Sequence, residues 1–404
     1  MNGVGNTAGV QKDRKDFAPR FGFAAQPNSK TVIRGGFGIN YAPDLQGTPG
    51  AFRNPPYNYS LPTSYTTQPN PYTPVGYLLS DGLPPVTASD PNNIVGGIAG
   101  VSMNYKIPRT YQYNLFVQRE LPFDMVLNVG YVGNLGRKLS GSNATYQWDG
   151  AAPGSANIIT RRVYSAVLPN VTSIGLVTNY FNSSYNSLQT TLSHRFQHGL
   201  NLVVNHTWSK ALDNGTLRYI AFATPVLLKG NSGSDVRQRV SIAMNYNLPF
   251  GGKSQSFFAK VIHQWKLNVI GTIQTGTPLS VTSGANVNGA TGPNYPNVVG
   301  DANGPGTYAE WFNTDAFRNQ PNFTWGNAGR TIGFGPGRWN FDTGLQREFR
   351  PMEKLTFQFR LESFNVTNTQ TPANPNTAVG NTNFGRITSI SGSRQQQVSL
   401  KILF

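Results

Sequence analysis

The last twelve residues, SRQQQVSLKILF (393–404), decide the reading of this chain. Val398, Leu400, Ile402 and Phe404 fall on one face of an extended strand, and Gln395, Gln397, Ser399 and Lys401 on the other. Successive side chains of a strand point to opposite faces, so strict alternation over about ten residues means a strand wetted on one side only. The same pattern recurs upstream. In QRVSIAMNYNL (238–248), Val240, Ile242, Met244, Tyr246 and Leu248 alternate with Arg239, Ser241, Ala243, Asn245 and Asn247. In QWKLNVIGTIQT (264–275), Trp265, Leu267, Val269 and Ile273 alternate with Lys266, Asn268, Thr272 and Gln274, and Ile270 breaks the row. In KLTFQFRLE (354–362), Leu355, Phe357, Phe359 and Leu361 alternate with Thr356, Gln358, Arg360 and Glu362.

Working outward, the alternation predicts eleven strands near 17–25, 30–41, 111–120, 125–133, 185–196, 200–210, 237–248, 263–275, 339–349, 354–366 and 394–404. Short connections at 26–29, 121–124, 197–199, 249–262 and 350–353 alternate with long ones at 42–110, 134–184, 211–236, 276–338 and 367–393. A meander with every short turn at one end and every long loop at the other describes an all-β, antiparallel, up-and-down outer-membrane barrel. The strand lengths match the about 9–11 tilted residues that cross a bilayer. A soluble sandwich or propeller uses strands of about 5–6 residues and does not sort its loops by side. Eleven is odd, so the first and last strands run in the same direction. The expectation is therefore a curved, open sheet, or a barrel with one parallel seam.

Composition agrees. Of 404 residues, 38% are hydrophobic and only 12% charged, about half the charge of an ordinary soluble domain, while 44 Gly, 28 Pro and many Asn, Gln, Ser and Thr take up the difference. No apolar run approaches the ~20 residues of a membrane helix, so a spanning chain would span as a barrel. The absence of Cys excludes disulfides, thiolate metal sites and Cys nucleophiles. The first residues, MNGVGNTAGVQKDRKDF, lack a basic-then-apolar export signal. Either the chain is not exported or its true N-terminus lies further upstream. The net charge of +16 is compatible with a polyanionic partner or with scattered lumen and rim charge; no block of five basic residues occurs.

Several segments resemble TonB-dependent receptors of the Oar-like type: YNLFVQRELPFDMVLNVGYVGNLGRKL (113–139), SYNSLQTTLSHRFQHGLNLVVNHTWSKALDN (184–214), DVRQRVSIAMNYNLPFG (235–251), WKLNVIGTIQTGTPLSV (265–281) and NFGRITSISGSRQQQVSLKILF (383–404). They stand in the family's order over nearly the whole chain. The resemblance implies that residues 1–404 are the C-terminal portion of a barrel of about 22 strands, without the plug and the N-terminal β-sandwich. It further implies an outer-membrane receptor that captures a large solute with its extracellular loops. The TonB system would act only through the N-terminal part not present here. Outer-membrane lipid and lipopolysaccharide would surround the barrel, and the barrel-assembly machinery would read Val398, Leu400, Ile402 and Phe404.

Candidate ligand contacts in the long loops are Tyr57, Tyr146, Trp148, Arg161, Arg162, Tyr164, Tyr180, Trp311, Phe317 and Trp325, since aromatic rings stack on sugars or apolar groups and Arg grips carboxylate or phosphate. Loop-on-loop packing is the competing reading of the same residues. Tyr113, Tyr131, Trp208, Tyr246, Trp265 and Trp339 suit interfacial girdles. His194, His198, His206 and His263 straddle a strand and a tight turn, a poor metal spacing. FGGKS (250–254) lacks the upstream Gly of a phosphate loop, and GFGPGR (333–338) is interrupted by Pro336. No nucleophile–base–acid set assembles, so neither catalysis, a metal, a cofactor nor nucleic-acid binding is expected. The rival functions are a passive porin-like or structural barrel, and a soluble basic adhesin or nucleic-acid binder.

Overall fold

The structure, a computed structural model, describes residues 14–42, 94–102, 105–140, 153–157, 160–162, 164–177, 179–197, 199–221, 224–250, 263–283, 294–352 and 355–404. Eleven long strands form one sheet in sequence order: β1 (Arg20–Asn28), β2 (Thr31–Tyr41), β3 (Arg109–Leu121), β4 (Met125–Leu139), β5 (Phe181–Gln197), β6 (Leu200–Ala221), β7 (Gln238–Asn247), β8 (Lys266–Gln274), β9 (Arg338–Met352), β10 (Leu355–Phe364) and β11 (Gln395–Leu403). Every neighbouring pair is antiparallel. All eleven predicted strands are present. The short connections therefore share one end of the sheet and the long ones the other. Among the described residues β1 pairs only with β2 and β11 only with β10, so the sheet is open.

The cross-strand register sorts the side chains into two faces. One row runs Ile402, Phe357, Phe349; a second runs Leu400, Phe359, and a third Val398, Leu361, Leu345, Leu267, Tyr246, Leu200. Further across, Ile242 stands opposite Val204, then Leu192, Leu127 and Arg119. The alternate rows are polar: Gln397 opposite Glu362, Gly344, Asn268, Asn245 and Asn201. Ile270, which breaks the apolar row in sequence, sits on this polar face between Ala243 and Asp342 and is exposed. Val398, Leu400 and Ile402 are about half or more exposed. They are not packed between two sheets.

Among the described residues no buried hydrophobic side chain lies on the eleven strands; all of them lie in the loops. The buried strand residues are small or polar, such as Ser187 and Ser209. A soluble sheet would bury its apolar face, because each large side chain left in water forfeits about 1.5–3 kcal/mol. This sheet presents an uncovered apolar face, as a lipid-facing surface does. The girdle aromatics divide by end. Tyr246 and Trp265 stand at the short-turn end, Leu248 N–H donating to the Trp265 carbonyl at 2.8 Å. Tyr113, Tyr131, Trp208 and Trp339 stand toward the loop end. Tyr113 and Tyr131 stack at 6.1 Å and share Asn186 Oδ1 as acceptor, at 3.1 and 2.8 Å. From Tyr246 to the level of Trp208 is roughly 27 Å along the strand, which a tilt of about 40° brings near the height of an apolar membrane band.

Four aromatic rings lie over the glycine opposite them: Phe23 over Gly35, Phe116 over Gly130, Tyr113 over Gly133 and Phe341 over Gly271. Added Cβ atoms would meet those rings at 2.0–2.6 Å. The glycines make room for the rings, and the rings cover backbone that glycine leaves bare.

One expectation about the connections needs correction. Residues 211–236 are not an open loop: β6 runs on to Ala221, and Thr224–Asn231 returns along it as an antiparallel strand. The sequence shows no clean alternation there because the hairpin rises clear of the apolar band and has no lipid face to pattern. The long loops also pair with one another, Gly96–Val101 lying parallel to Val171–Val177. Most of the connection 249–262 lies outside the described residues.

Candidate functional site: the loop-end cap

The described residues of the loops 276–338 and 367–393 fold into a cap with an apolar core of its own. Leu279, Val281, Phe312, Ala316, Phe317 and Val379 form it, with Trp311, Ile332 and Phe384 packed against it. Phe312, Phe317 and Phe384 make a three-ring cluster of edge contacts at 5.2–6.0 Å. Two-residue strands stitch the loops together: Pro278–Leu279 with Gly333–Phe334, Thr282–Ser283 with Ala378–Val379, Asn297–Val298 with Phe317–Arg318, and Thr371–Pro372 with Ile390–Ser391. Among the described residues the local sequence forms no long element here, because Pro and Gly recur every few residues.

Polar clamps fasten the cap to the β6 hairpin. Arg330 pairs with the Asp213 carboxylate, and its Nη1 also donates to the Asp213 carbonyl at 3.0 Å. Burial pushes the Asp213 carboxyl up, but hydrogen bonds from Arg330, the Gly215 N–H and Ser232 outweigh burial and hold it below the ordinary Asp value. The fully buried Asp235 accepts from Ala211 N–H at 2.7 Å and from Arg237 Nε at 2.8 Å. Arg237 then donates to Asn231 Oδ1 at 3.0 Å and lies 5.3 Å from the centre of the Phe334 ring. The DVRQR stretch is therefore a structural lock between the hairpin, the start of β7 and the cap.

Beside the clamp is a cavity of about 400 Å³ lined by Arg137, Asn182, Ser183, Ser184, Leu212, Asp213, Asn214 and Lys229. Asn182 N–H donates to Asn214 Oδ1 at 2.6 Å, and Arg137 Nη1 donates to the carbonyls of Gly136 and Ser183, both at 2.8 Å. With Asp213 engaged by Arg330, the lining offers amides, hydroxyls and two cations. That chemistry suits a polar or anionic group rather than an apolar one.

The residues singled out from sequence fare differently. Tyr57, Tyr146 and Trp148 lie outside the described residues. Phe317 is 1% exposed within the cap core, so its ring has no surface for a ligand. Trp311 is tied into the cap by its indole N–H, which donates to the Phe334 carbonyl at 2.8 Å. Trp325 is half-buried in the same region. Arg161 folds back on the Ala156 carbonyl at 2.8 Å, Arg162 is buried, Tyr164 is half-buried, and Tyr180 is exposed with its carbonyl accepting from Asn182 and Asn214. The structure does not gather those among the described residues around one cavity. Loop packing is the better account of Phe317 and Trp311. The clamp residues Asp213, Asp235, Arg237 and Arg330 were missed, since single charges in a loop carry no periodic signal. His194 Nδ1 contacts the Leu200 carbonyl at 3.0 Å and His206 Nε2 contacts Gln238 Oε1 at 2.8 Å. Opposite His206 stands Thr190, four residues from His194, so those rings do not converge.

An open antiparallel meander with an apolar outer face, aromatic belts and a folded loop cap defines a membrane β-barrel sheet. The model of the outer membrane beta barrel domain family matches residues 1–397, and the chain belongs to that family; its place is the bacterial outer membrane. No curated protein matches in sequence. Among solved structures, the chain is similar to the FrpB iron transporter from Neisseria meningitidis (10% identity, 95% of this chain and 38% of that one, TM-score 0.40). It is similar also to the pyoverdine receptor FpvA of Pseudomonas aeruginosa (9%, 96% and 36%, TM-score 0.46). A mutant ferric enterobactin receptor, PfeA, from the same organism gives 12%, 96% and 40%, with a TM-score of 0.45. The chain spans well under half the length of each of these structures.

Proposed function

We propose that this chain is the C-terminal part of a TonB-dependent receptor barrel whose loop cap captures a large polar solute at the cell surface. The observation that carries the reading is the cap itself. Long loops that only bordered a passive pore would not need a buried core and ion-pair clamps; a preorganised binding surface does. The open edges of β1 and β11 support a barrel completed by further strands, because lipid cannot satisfy the orphan N–H and C=O groups of a free edge. Energy coupling through TonB would then belong to parts outside this chain. The role is capture and passage, not catalysis. Oligosaccharide, peptide and siderophore are the candidate solutes; the cavity beside Asp213 would hold one polar group of such a solute, with Arg161, Arg162, Tyr164, Tyr180 and Trp325, and Tyr57, Tyr146 and Trp148 from the remaining loops, as candidate contacts. The row Val398, Leu400, Ile402 and Phe404 serves as the assembly signal.

The test is uptake by cells that express the complete gene product. Solute accumulation should require TonB, and deletion of cap residues 294–332 should abolish it while the barrel still reaches the membrane. Uptake that persists without TonB would favour the passive barrel. The fragment reading is tested separately: the purified 404-residue chain should not run as a folded, heat-modifiable monomer in detergent.

A further inference from the structure

The polar face of the sheet carries a hollow toward its loop end. Arg20, Asn40, Gln112 and Asn114 wall it, and the bare backbone of Gly36 and Gly38 forms its floor, around a volume of about 320 Å³. None of the lining residues is acidic. Arg20 Nη2 donates to Asn40 Oδ1 at 3.0 Å, and Asn40 Nδ2 donates to Gln112 Oε1 at 3.2 Å. This relay points one way, from the guanidinium to the Gln112 amide nitrogen, which is left as a donor at the hollow. Among the described residues Arg20 makes no ion pair. Asn114 is exposed beside it.

The register extends the hollow into a row. Arg20 stands opposite Gly38, then Gln112, Asn134 and Tyr185 follow on β3, β4 and β5, and Ala211 on β6 comes next. From Gln112 to Tyr185 is two strand spacings, roughly 10 Å. Tyr185 is partly exposed, an aromatic ring at the end of a run of amides. The row reaches the cap lock, because Ala211 N–H donates to Asp235. Gly36 and Gly38 differ from the four glycines that rings cover. Beyond the chain neighbours, an added Cβ at either position would come no nearer than 3.5 Å to any atom. The fold does not need glycine there to make room, and the bare peptide planes are open to a molecule from outside.

We propose that this row binds an acidic oligosaccharide: a carboxylate of one sugar on Arg20, its hydroxyls on Gln112 and Asn114, and a ring further along the chain against Tyr185. Hydroxyls both donate and accept, as side-chain amides do. Arg20 grips the carboxylate with the nitrogens not given to Asn40. The flat C–H faces of sugar rings fit bare peptide planes and an aromatic ring. A peptide would look for a strand edge to pair with, and β2 and β3 are already paired on both sides. The inference names the solute class of the proposed receptor and rests on that reading.

The experiment measures binding by calorimetry to the complete protein in detergent. The probes are oligogalacturonides and oligomannuronides of two to four units, with their methyl esters as neutral counterparts. The acids should bind, and esterification should weaken binding about tenfold, roughly what one charge-assisted hydrogen bond contributes. Arg20→Gln should weaken the acids by a similar factor and leave the esters unchanged. Tyr185→Leu should weaken the tetramers more than the dimers. Gly36→Ala with Gly38→Ala should fold, since each Cβ meets only ordinary contacts, and should weaken acids and esters alike; heat-modifiability checks the fold of every variant. Equal binding of acid and ester would overturn the proposal, as would parent-like binding by Arg20→Gln or by the double Ala variant. Calorimetry does not involve TonB, so the two readings fail separately. TonB-dependent uptake of another solute by a protein that binds none of these probes sinks the saccharide site alone. Binding of the probes by a protein whose uptake ignores TonB sinks the receptor reading alone.

Discussion

Arg330 reaches across 117 residues of sequence to grip Asp213, both side chains less than one-fifth exposed, and so ties the loop cap to the hairpin that rises from β6. Removing one partner of such a pair leaves a buried charge uncompensated, at a cost of about 3–5 kcal/mol. Arg330→Ala should therefore loosen the cap while leaving the sheet formed. In the complete protein, limited proteolysis should cut within 294–332 much faster than in the parent, with heat-modifiability unchanged. Loss of the folded barrel instead would show that the cap and sheet are one cooperative unit.

The same pair predicts a pH dependence. The Asp213 carboxyl is held below its ordinary value in the folded protein. A depressed carboxyl contributes stability that is fully present above about pH 5 and is lost as pH falls below about 4, through the lowered value. Protease sensitivity of the cap should therefore rise in acid in the parent protein, and Asp213→Asn should flatten that rise. An unchanged acid profile in the variant would assign the sensitivity to another carboxylate.

The Phe116 ring over Gly130 gives a cleaner test of packing. A Cβ at 130 would come within 2.0 Å of the ring, so Gly130→Val should destabilise the sheet by about 1–3 kcal/mol. Truncating the ring as well, with Phe116→Ala, should recover part of that loss, because the two positions are in contact and their effects are not additive. Heat-modifiability midpoints of the two single variants and the double variant, each made in the complete protein, measure the coupling. Strict additivity would mean that the clash is relieved elsewhere.

The two faces of the sheet should respond oppositely to charge. Val204, level with Ile242 and Leu192, lies on the apolar face near mid-strand, whereas its neighbour Asn205 lies on the polar face with its amide oxygen 2.8 Å from Thr191 Oγ1. Val204→Arg should cost about 2–4 kcal/mol of folding stability in lipid vesicles, as a charge near a bilayer midplane does. Asn205→Lys should cost far less. Equal tolerance at both sites would contradict a lipid-facing assignment of the Val204 row.

Phe404 is fully exposed at the end of β11, on the row of Val398, Leu400 and Ile402. If assembly reads that row, Phe404→Asp should lower the amount of protein reaching the outer membrane several-fold while synthesis is unchanged, as fractionation and immunoblotting would show. Normal assembly of the variant would remove Phe404 from the signal.

The sequence by itself determined the eleven strands, their antiparallel order, the face each residue occupies and the end at which the long loops gather. It could do so because lipid is a uniform solvent. Every strand crossing it must repeat the same two-residue alternation, and SRQQQVSLKILF carries that constraint in twelve consecutive residues. What only the tertiary structure decided is the cap: that Phe317 is core, that 211–236 is a hairpin, that Asp213 meets Arg330, and that Asp235 is a buried lock. Nor could the sequence bring Arg20, Gln112 and Tyr185 to one row. These contacts join segments tens to over a hundred residues apart, each held by one or two side chains among Gly, Pro and Asn. A single long-range pair leaves no period along the chain, so only the folded backbone brings its partners into view.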